Sequence, residues 1–201
     1  EAIARSNADL LTTAELRQEF QEIYCEQGRQ EAGRWLQLNH PEITEAELEH
    51  RLGRYGLNPC GEILGADFHC NLAEVHLNRL DPDDLEGQSD AFRAAGLSVA
   101  CLLNHRFEVE RYRQSRAWDP IVGVSFTGLF DFFVHAFGTP WLEWWAAGRP
   151  ETAEGLAFKE QEAAFLARWK TTVNEAVWDY CDRHGLRRPN RCTTVQPAGT
   201  K

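Results

Sequence analysis

The sequence has 201 residues, 43% of them hydrophobic, and a formal net charge of −10 with a pI near 5.2. This length and composition suit one sizeable globular domain and exclude a disordered tail. The acidic charge disfavours broad contact with nucleic-acid phosphates, although a nucleotide can still bind locally. No run of eighteen apolar residues occurs, so a membrane-spanning helix is not expected.

The two ends and the cysteines predict that the sequence is part of a longer protein in a reducing compartment. The sequence contains no methionine, and both ends are expected to be cuts inside a longer protein. No basic leader followed by an apolar core is present, so secretion has no support. The six cysteines are therefore expected to lie in the reducing cytoplasm.

The first predicted element is a helix over residues 12–38. Its charged and apolar side chains alternate at helical spacing, and Thr12 with Glu15 forms a capping-box pattern. Gly28 is expected to interrupt this helix. The N-terminal part of the chain is thus predicted to be helical.

Later elements alternate between helix and strand. A second capping box, Thr44 with Glu47, predicts a short helix, and the helical period disappears over 55–70, which predicts a loop with short extended pieces. The remaining predicted elements are a strand at 72–77, a helix N-terminus at 81–84, a mostly helical stretch at 89–114, a buried strand at 121–126, helices at 127–137, 141–147 and 151–183, and a strand at 192–196. This order favours a helix-rich α/β fold.

The loop at 55–70 contains the side chains that could take part in a chemical reaction. Asn58, Cys60 and Glu62 occupy alternate positions, so an extended backbone would point all three side chains to one side. A carboxylate there can act as a general base, and an amide can orient it. A thiol beside a carboxylate stays neutral, which suits hydrogen-atom chemistry better than nucleophilic attack. Turn preferences alone also allow a plain turn with a buried cysteine.

The peptide Asn-Pro-Cys-Gly-Glu-Ile at 58–63 resembles the finger-loop motif of class II, adenosylcobalamin-dependent ribonucleotide reductases. Cys70-Asn71-Leu72 is similar to the redox-cysteine segment that follows this loop in the family. Two further stretches, 121–129 and 193–200, are similar to an internal strand and turn and to the phosphate loop. The resemblance spans 55–201, and its first motif is the specific one.

The resemblance implies a role for each residue of the motif. Cys60 would become the thiyl radical that removes the 3′ hydrogen of the ribose, and Glu62 would accept the 3′-hydroxyl proton. Asn58 would hold the ribose and the carboxylate in register. Cys70 would be one of two redox cysteines, its partner lying upstream of this chain. The phosphate-binding residues would be Pro197, Ala198, Gly199 and Thr200.

The resemblance also implies a fold, a cofactor, a substrate and a reductant. The fold would be part of the ten-stranded α/β barrel, with a helical segment at 1–54 and a catalytic segment at 55–201 that holds the finger loop (55–70) and the phosphate loop (193–201). The cofactor would be adenosylcobalamin, the substrate a ribonucleoside triphosphate and the reductant thioredoxin or a similar dithiol. The parent enzyme is expected to be a monomer, and this chain alone to be inactive.

The cysteines, histidines and aromatic residues also allow other interpretations. Cys60, His69, Cys70 and His76 lack zinc-ligand spacing, so no metal site is expected. A different class of function is a helical protein-interaction module in which Cys60 is inert. The cysteines in helical patterns, Cys25, Cys101 and Cys181, are expected to be buried and inert. The aromatic residues between 126 and 145 are expected to form core, the alternative being a base-stacking platform.

Overall fold

The computed structural model describes residues 2–53 and 56–197, apart from the side chains of residues 2 and 5. The chain divides into two compact units. One comprises Glu1–Cys70 and Arg106–Ile121, and the other comprises Asn71–His105 and Val122–Lys201. Each unit is therefore assembled from two separate stretches of sequence. The expected boundary between residues 54 and 55 stays a prediction.

Helices dominate the described residues, and the strands are short. In chain order the helices are α1 (Ala2–Ser6), α2 (Ala14–Glu26), α3 (Arg29–Asn39), α4 (Glu45–Gly53), α5 (Leu85–Cys101), α6 (Glu110–Trp118), α7 (Leu129–Ala146) and α8 (Ala153–Arg183). The strands are β1 (Gly56–Leu57), β2 (Leu64–Gly65), β3 (Leu72–His76) and β4 (Gly123–Thr127). The expected helix-rich α/β class is confirmed at this level.

The N-terminal helices form where the capping patterns place them, with one correction. Helices α2 and α3 are separated at Gln27 and Gly28, which confirms the predicted interruption. Thr44 Oγ1 accepts a hydrogen bond from the N–H of Glu47, which confirms the second cap. The first cap is Thr13 and not Thr12, because the Thr13 hydroxyl accepts from the backbone N–H of Leu16.

The first unit has its own hydrophobic core. Apolar residues from α1 to α4 face one another, and the buried members are Ala4, Leu10, Leu11, Phe20, Ala32, Leu36, Ile43 and Leu52. The burial of one stripe per helix is the packing that an amphipathic helical pattern predicts.

A fully buried arginine, Arg51, ties distant parts of the first unit together. Its guanidinium donates to Glu47 at 2.8 Å, to Asn7 at 3.0 Å, and to both carboxylate oxygens of Asp9 at 3.1 and 3.2 Å. A fifth bond reaches the backbone carbonyl of Trp118 at 3.1 Å. An arginine side chain has five N–H donors, so each one has an acceptor. This full set of partners offsets the cost of burying the charge.

The short sheet of the first unit is an antiparallel hairpin. Strands β1 and β2 pair Gly56 with Gly65 and Leu57 with Leu64. A Cβ atom at Gly65 would lie 2.7 Å from side-chain atoms of both Ile121 and Phe68, so only glycine fits there. The loop with short extended pieces is confirmed for 56–70, and Tyr55 lies outside the described residues.

The sheet of the second unit is parallel. Strand β3 pairs with β4 from Leu72 opposite Gly123 to His76 opposite Thr127. The predicted strand at 192–196 is reduced to a single parallel bridge between Thr193 and Val124. The segment runs beside β4, but beyond Thr194 its next backbone bond goes to a side chain, which ends regular pairing. The predicted strand at 72–77 is confirmed to within one residue.

The helices of the second unit confirm most of the predicted pattern. Asp84 caps α5 by accepting from the N–H of Gly87, and Gly138 introduces non-helical backbone into α7 between the two helices predicted there. The predicted mostly helical stretch at 89–114 is confirmed with one break: α5 ends at Cys101, a 3₁₀ turn follows at Leu102–Asn104, and α6 begins at Glu110. No helix within the described ranges is both long and apolar enough to span a membrane.

Aromatic residues fill the core of the second unit. Phe132, Phe133, Trp141 and Trp144 of α7 are buried, and the ring of Phe132 lies edge-on to Trp169 of α8 at 5.3 Å. The expectation that this set forms core is confirmed for these four residues. Two other members of the set, Phe130 and Trp145, are exposed.

Candidate functional site

The residues of the expected radical loop form a tight turn at the tip of the β1–β2 hairpin. The N–H of Asn58 donates to the carbonyl of Ile63 at 3.0 Å, and the N–H of Gly61 donates to the carbonyl of Asn58 at 2.9 Å. Gly61 has φ of 77°, a backbone conformation that favours glycine. The expected extended backbone is therefore wrong, because two main-chain bonds close the segment into a turn. We call it the 58–62 turn.

The Asn58 side chain organises this turn. Its Oδ1 accepts hydrogen bonds from the backbone N–H groups of Glu62 and Ile63, both at 3.1 Å. Its Nδ2 donates to Glu62 Oε1 at 2.7 Å. Only the amide oxygen can accept from two N–H groups, so the backbone fixes which way the amide points. The carboxylate of Glu62 is consequently held by a donor of fixed orientation.

Cys70 lies against the same amide group. Its Sγ is 3.8 Å from Asn58 Nδ2. Burial of the sulfur raises the pKa of the Cys70 thiol, although the residue as a whole is exposed, and its neighbours Glu62 and Cys60 raise this pKa further. The Asn58 hydrogen bond lowers this pKa by a smaller amount than burial raises it. Cys70 is therefore a protonated thiol at neutral pH.

The structure thus brings the four expected catalytic residues into one place. Asn58, Glu62 and Cys70 are in contact, and Cys60 lies close enough to influence the charge state of Cys70. Cys60 is exposed at the tip of the hairpin, and Glu62 is half-buried behind it. A carboxylate placed by an amide beside neutral sulfur can take a proton from a hydroxyl, while a neutral thiol can give a hydrogen atom.

An aromatic surface next to Cys70 was missed by the sequence analysis. The ring of His69 stacks on Phe107 with centroids 4.1 Å apart and planes 10° apart. Tyr112 meets His69 edge-on at 5.2 Å and Phe107 at 6.4 Å. We call His69, Phe107 and Tyr112 the ring surface. A signal was present in the aromatic and basic residues of 105–116, but nothing in their spacing indicated proximity to Cys70.

The expected phosphate loop belongs to the second unit. Thr194 N–H donates to the Val124 carbonyl at 3.0 Å, and Gln196 N–H donates to Ser125 Oγ at 3.1 Å. The Gln196 side chain also donates to the carboxylate of Glu74. These bonds hold the segment beside β4 up to Pro197, which is exposed. The other three expected phosphate-binding residues, Ala198, Gly199 and Thr200, lie outside the described residues.

The remaining cysteines differ in exposure. Cys25 and Cys101 are exposed, so the expectation that they are buried is wrong; each occupies a helix position that faces away from its core. Cys181 is buried as expected, and so is Cys192. Burial raises the pKa of Cys181 to about 11 and that of Cys192 to about 12. These two thiols are therefore inert at neutral pH.

Metal ligands and known relatives give no further assignment. In residues 2–53 and 56–197, no group of three or more histidine, cysteine, aspartate or glutamate side chains is arranged to hold a metal ion. Searches against protein-family models, curated proteins and solved structures found no match to this chain.

Proposed function

We propose that the chain carries the radical loop of an adenosylcobalamin-dependent ribonucleotide reductase of the ribonucleoside-triphosphate type. The observation that carries the proposal is the contact of one amide, Asn58, with both the Glu62 carboxylate and the Cys70 sulfur. A plain turn with an inert cysteine has no need of a second cysteine and a carboxylate on the same amide. The motif resemblance and this geometry favour the same four residues.

In the proposed chemistry Cys60, as a thiyl radical, takes the 3′ hydrogen of the ribose, while Glu62 accepts the proton of the 3′ hydroxyl and later returns it to the 3′ oxygen. Cys70 and a second thiol supply two electrons and two protons and become a disulfide. One of these protons leaves with the 2′ hydroxyl as water, and the other ends on C2′. Cys60 then returns the hydrogen atom to C3′. A thioredoxin-like dithiol reduces the disulfide and closes the cycle.

The local electrostatics suit this sequence of steps. The raised pKa of Cys70 keeps its proton on sulfur until the reduction step, when the proton and electrons are needed together. The amide of Asn58 keeps Glu62 in place without bringing a positive charge, which would stabilise a thiolate. Neutral sulfur beside a placed carboxylate is the state that hydrogen-atom transfer requires.

The proposed cofactor would need access to Cys60. Adenosylcobalamin, when bound, would supply the organic radical that oxidises this thiol. Cys60 is exposed at the hairpin tip, so a bulky cofactor can approach it. We assign no described residue to hold the corrin ring. The ten-stranded barrel, a cytoplasmic location and a monomeric parent belong to the same proposal, and the parallel β3–β4 pair is compatible with such a barrel.

The test is deoxynucleotide formation by the full-length gene product with adenosylcobalamin and a dithiol. We expect Cys60→Ser to abolish turnover, because an alcohol cannot serve as the radical thiol. Cys101→Ser is the matched control, since Cys101 is also exposed but lies in the second unit. Circular dichroism establishes that both variants are folded. Full activity in Cys60→Ser, or activity without cobalamin, contradicts the proposal.

The second candidate is a helical protein-interaction module with an inert Cys60. One observation favours it: α8 leaves Leu156 and Leu166 exposed along its length. Under this interpretation Cys60→Ser changes nothing, whereas charged substitutions of the two leucines abolish partner binding. Cys60→Ser and the charged leucine substitutions therefore distinguish the two functions.

A further inference from the structure

Residues 106–116 form a positively charged segment of the first unit, although the chain as a whole is acidic. The whole protein has a net charge of −10. In contrast, residues 106–116 hold four arginines and two glutamates, a local balance of +2. These residues are Arg106, Glu108, Glu110, Arg111, Arg113 and Arg116. The segment belongs to the same unit as the 58–62 turn.

Two of these arginines lie on the ring surface. The guanidinium carbon of Arg111 is 4.8 Å from the Tyr112 ring centroid, and its Nη2 donates to the Tyr112 hydroxyl at 2.9 Å. The guanidinium carbon of Arg116 is 5.0 Å from the centroid of Phe107. Guanidinium groups within this range attract the ring faces electrostatically. The ring surface is therefore bordered by two guanidinium groups, of which that of Arg111 also lies 3.9 Å from the Asp67 carboxylate.

The ring surface adjoins the candidate catalytic site through a single peptide bond. His69 immediately precedes Cys70, whose sulfur contacts Asn58. The His69 side chain is exposed even though it stacks on Phe107. A flat ligand can therefore pack against the exposed His69 ring, one residue along the chain from the sulfur that contacts Asn58.

We propose that the ring surface binds the base of a ribonucleotide whose ribose is presented to the 58–62 turn. Stacked rings with adjacent guanidinium groups are a general means of holding a nucleobase, because every base offers an aromatic face. The guanidinium groups of Arg111 and Arg116 should favour a base that carries phosphates over an uncharged ring compound. This inference rests on the proposed function and extends it to base recognition.

Equilibrium binding tests the inference without requiring turnover. The probes are ATP, adenosine and inorganic triphosphate, titrated into the 201-residue protein while the His69 ring protons are followed by NMR. We expect ATP to shift these signals and to bind more tightly than either adenosine or inorganic triphosphate. Stacking predicts that His69→Ala weakens ATP binding at least roughly fivefold.

Two variants keep the result interpretable. His69→Phe retains the stack on Phe107 and should bind ATP within about twofold of the parent protein, since a ring face remains. His40→Ala removes another histidine of the same unit and should leave binding unchanged. Equal affinity for ATP and inorganic triphosphate, or unchanged ATP binding in a folded His69→Ala protein, overturns the inference.

Failure of this inference can be told apart from failure of the proposed function. Loss of turnover in Cys60→Ser together with His69-independent binding leaves the radical chemistry standing and removes the base platform. His69-dependent ATP binding in a protein whose activity survives Cys60→Ser leaves the platform and removes the radical assignment.

Discussion

Asn58 is predicted to hold the 58–62 turn closed through two backbone bonds. Its Oδ1 accepts from the N–H groups of Glu62 and Ile63, and both bonds are lost in Asn58→Ala. At about 1 kcal/mol for each net hydrogen bond, the turn should lose about 2 kcal/mol of local stability. That corresponds to roughly 30-fold faster amide hydrogen exchange at these two positions. Exchange measured residue by residue by NMR checks this value.

Asn58→Asp separates the two functions of the amide. An aspartate keeps an oxygen that accepts from both N–H groups, so exchange at Glu62 and Ile63 should change by less than about fivefold. It also replaces the N–H group that donates to Glu62 with a second carboxylate, so the bond between the two side chains is lost. Unchanged exchange at both amides in Asn58→Ala would refute the assignment of Asn58 as the organiser of the turn.

Further predictions concern stability and pH. Arg51→Met removes the guanidinium that binds the buried Glu47 and the partly buried Asp9, and should lower the free energy of unfolding by about 3–5 kcal/mol in urea titrations. Arg93→Met, on an exposed ion pair, should lower it by under about 1 kcal/mol. Gly65→Ala should destabilise the hairpin by about 1–3 kcal/mol through overpacking, and an unchanged denaturation midpoint would count against this. The raised pKa values of Cys181 and Cys192 mean that the unfolded chain releases these protons first, near pH 9. The free energy of unfolding should therefore fall as pH rises from about 9 towards 11 and 12, and a Cys181→Ala, Cys192→Ala double variant should show a smaller fall.

The ends of the helices could be predicted from the sequence because they depend on neighbouring residues. The cap at Thr44, the break near Gly28 and the end of α8 before Gly185 each depend on residues within a few positions of one another. The break between α5 and α6 was not indicated by the sequence pattern, for the converse reason. Leu103 of this stretch is buried in the core, so tertiary packing and not helical period decides its backbone.

The candidate site was predictable in its residues but not in its shape. Alternation placed Asn58, Cys60 and Glu62 on one side of an extended backbone, yet Pro59 and Gly61 are equally compatible with a turn. The bond from Asn58 to the Ile63 carbonyl decides between them. Such a choice depends on the pairing of β1 with β2, which the sequence does not specify.

Contacts between segments that are far apart in the sequence could not be predicted from it. The acceptors of Arg51 lie 4 to 67 positions away, and no pattern links Asp9 to Trp118. The ring surface joins His69 to Phe107 and Tyr112 in the same way. These are the interactions that give the first unit its shape, and they arise only when the chain is folded.

The interrupted sequence of the first unit has a consequence for synthesis on the ribosome. Residues 71–105, which belong to the second unit, emerge before the segment Arg106–Ile121 that the first unit needs. The carbonyl of Trp118 therefore reaches Arg51 only after the whole of α5 has been made. The nascent chain must hold an incomplete set of partners around a buried cation during this interval, a state in which chaperone capture competes with closure.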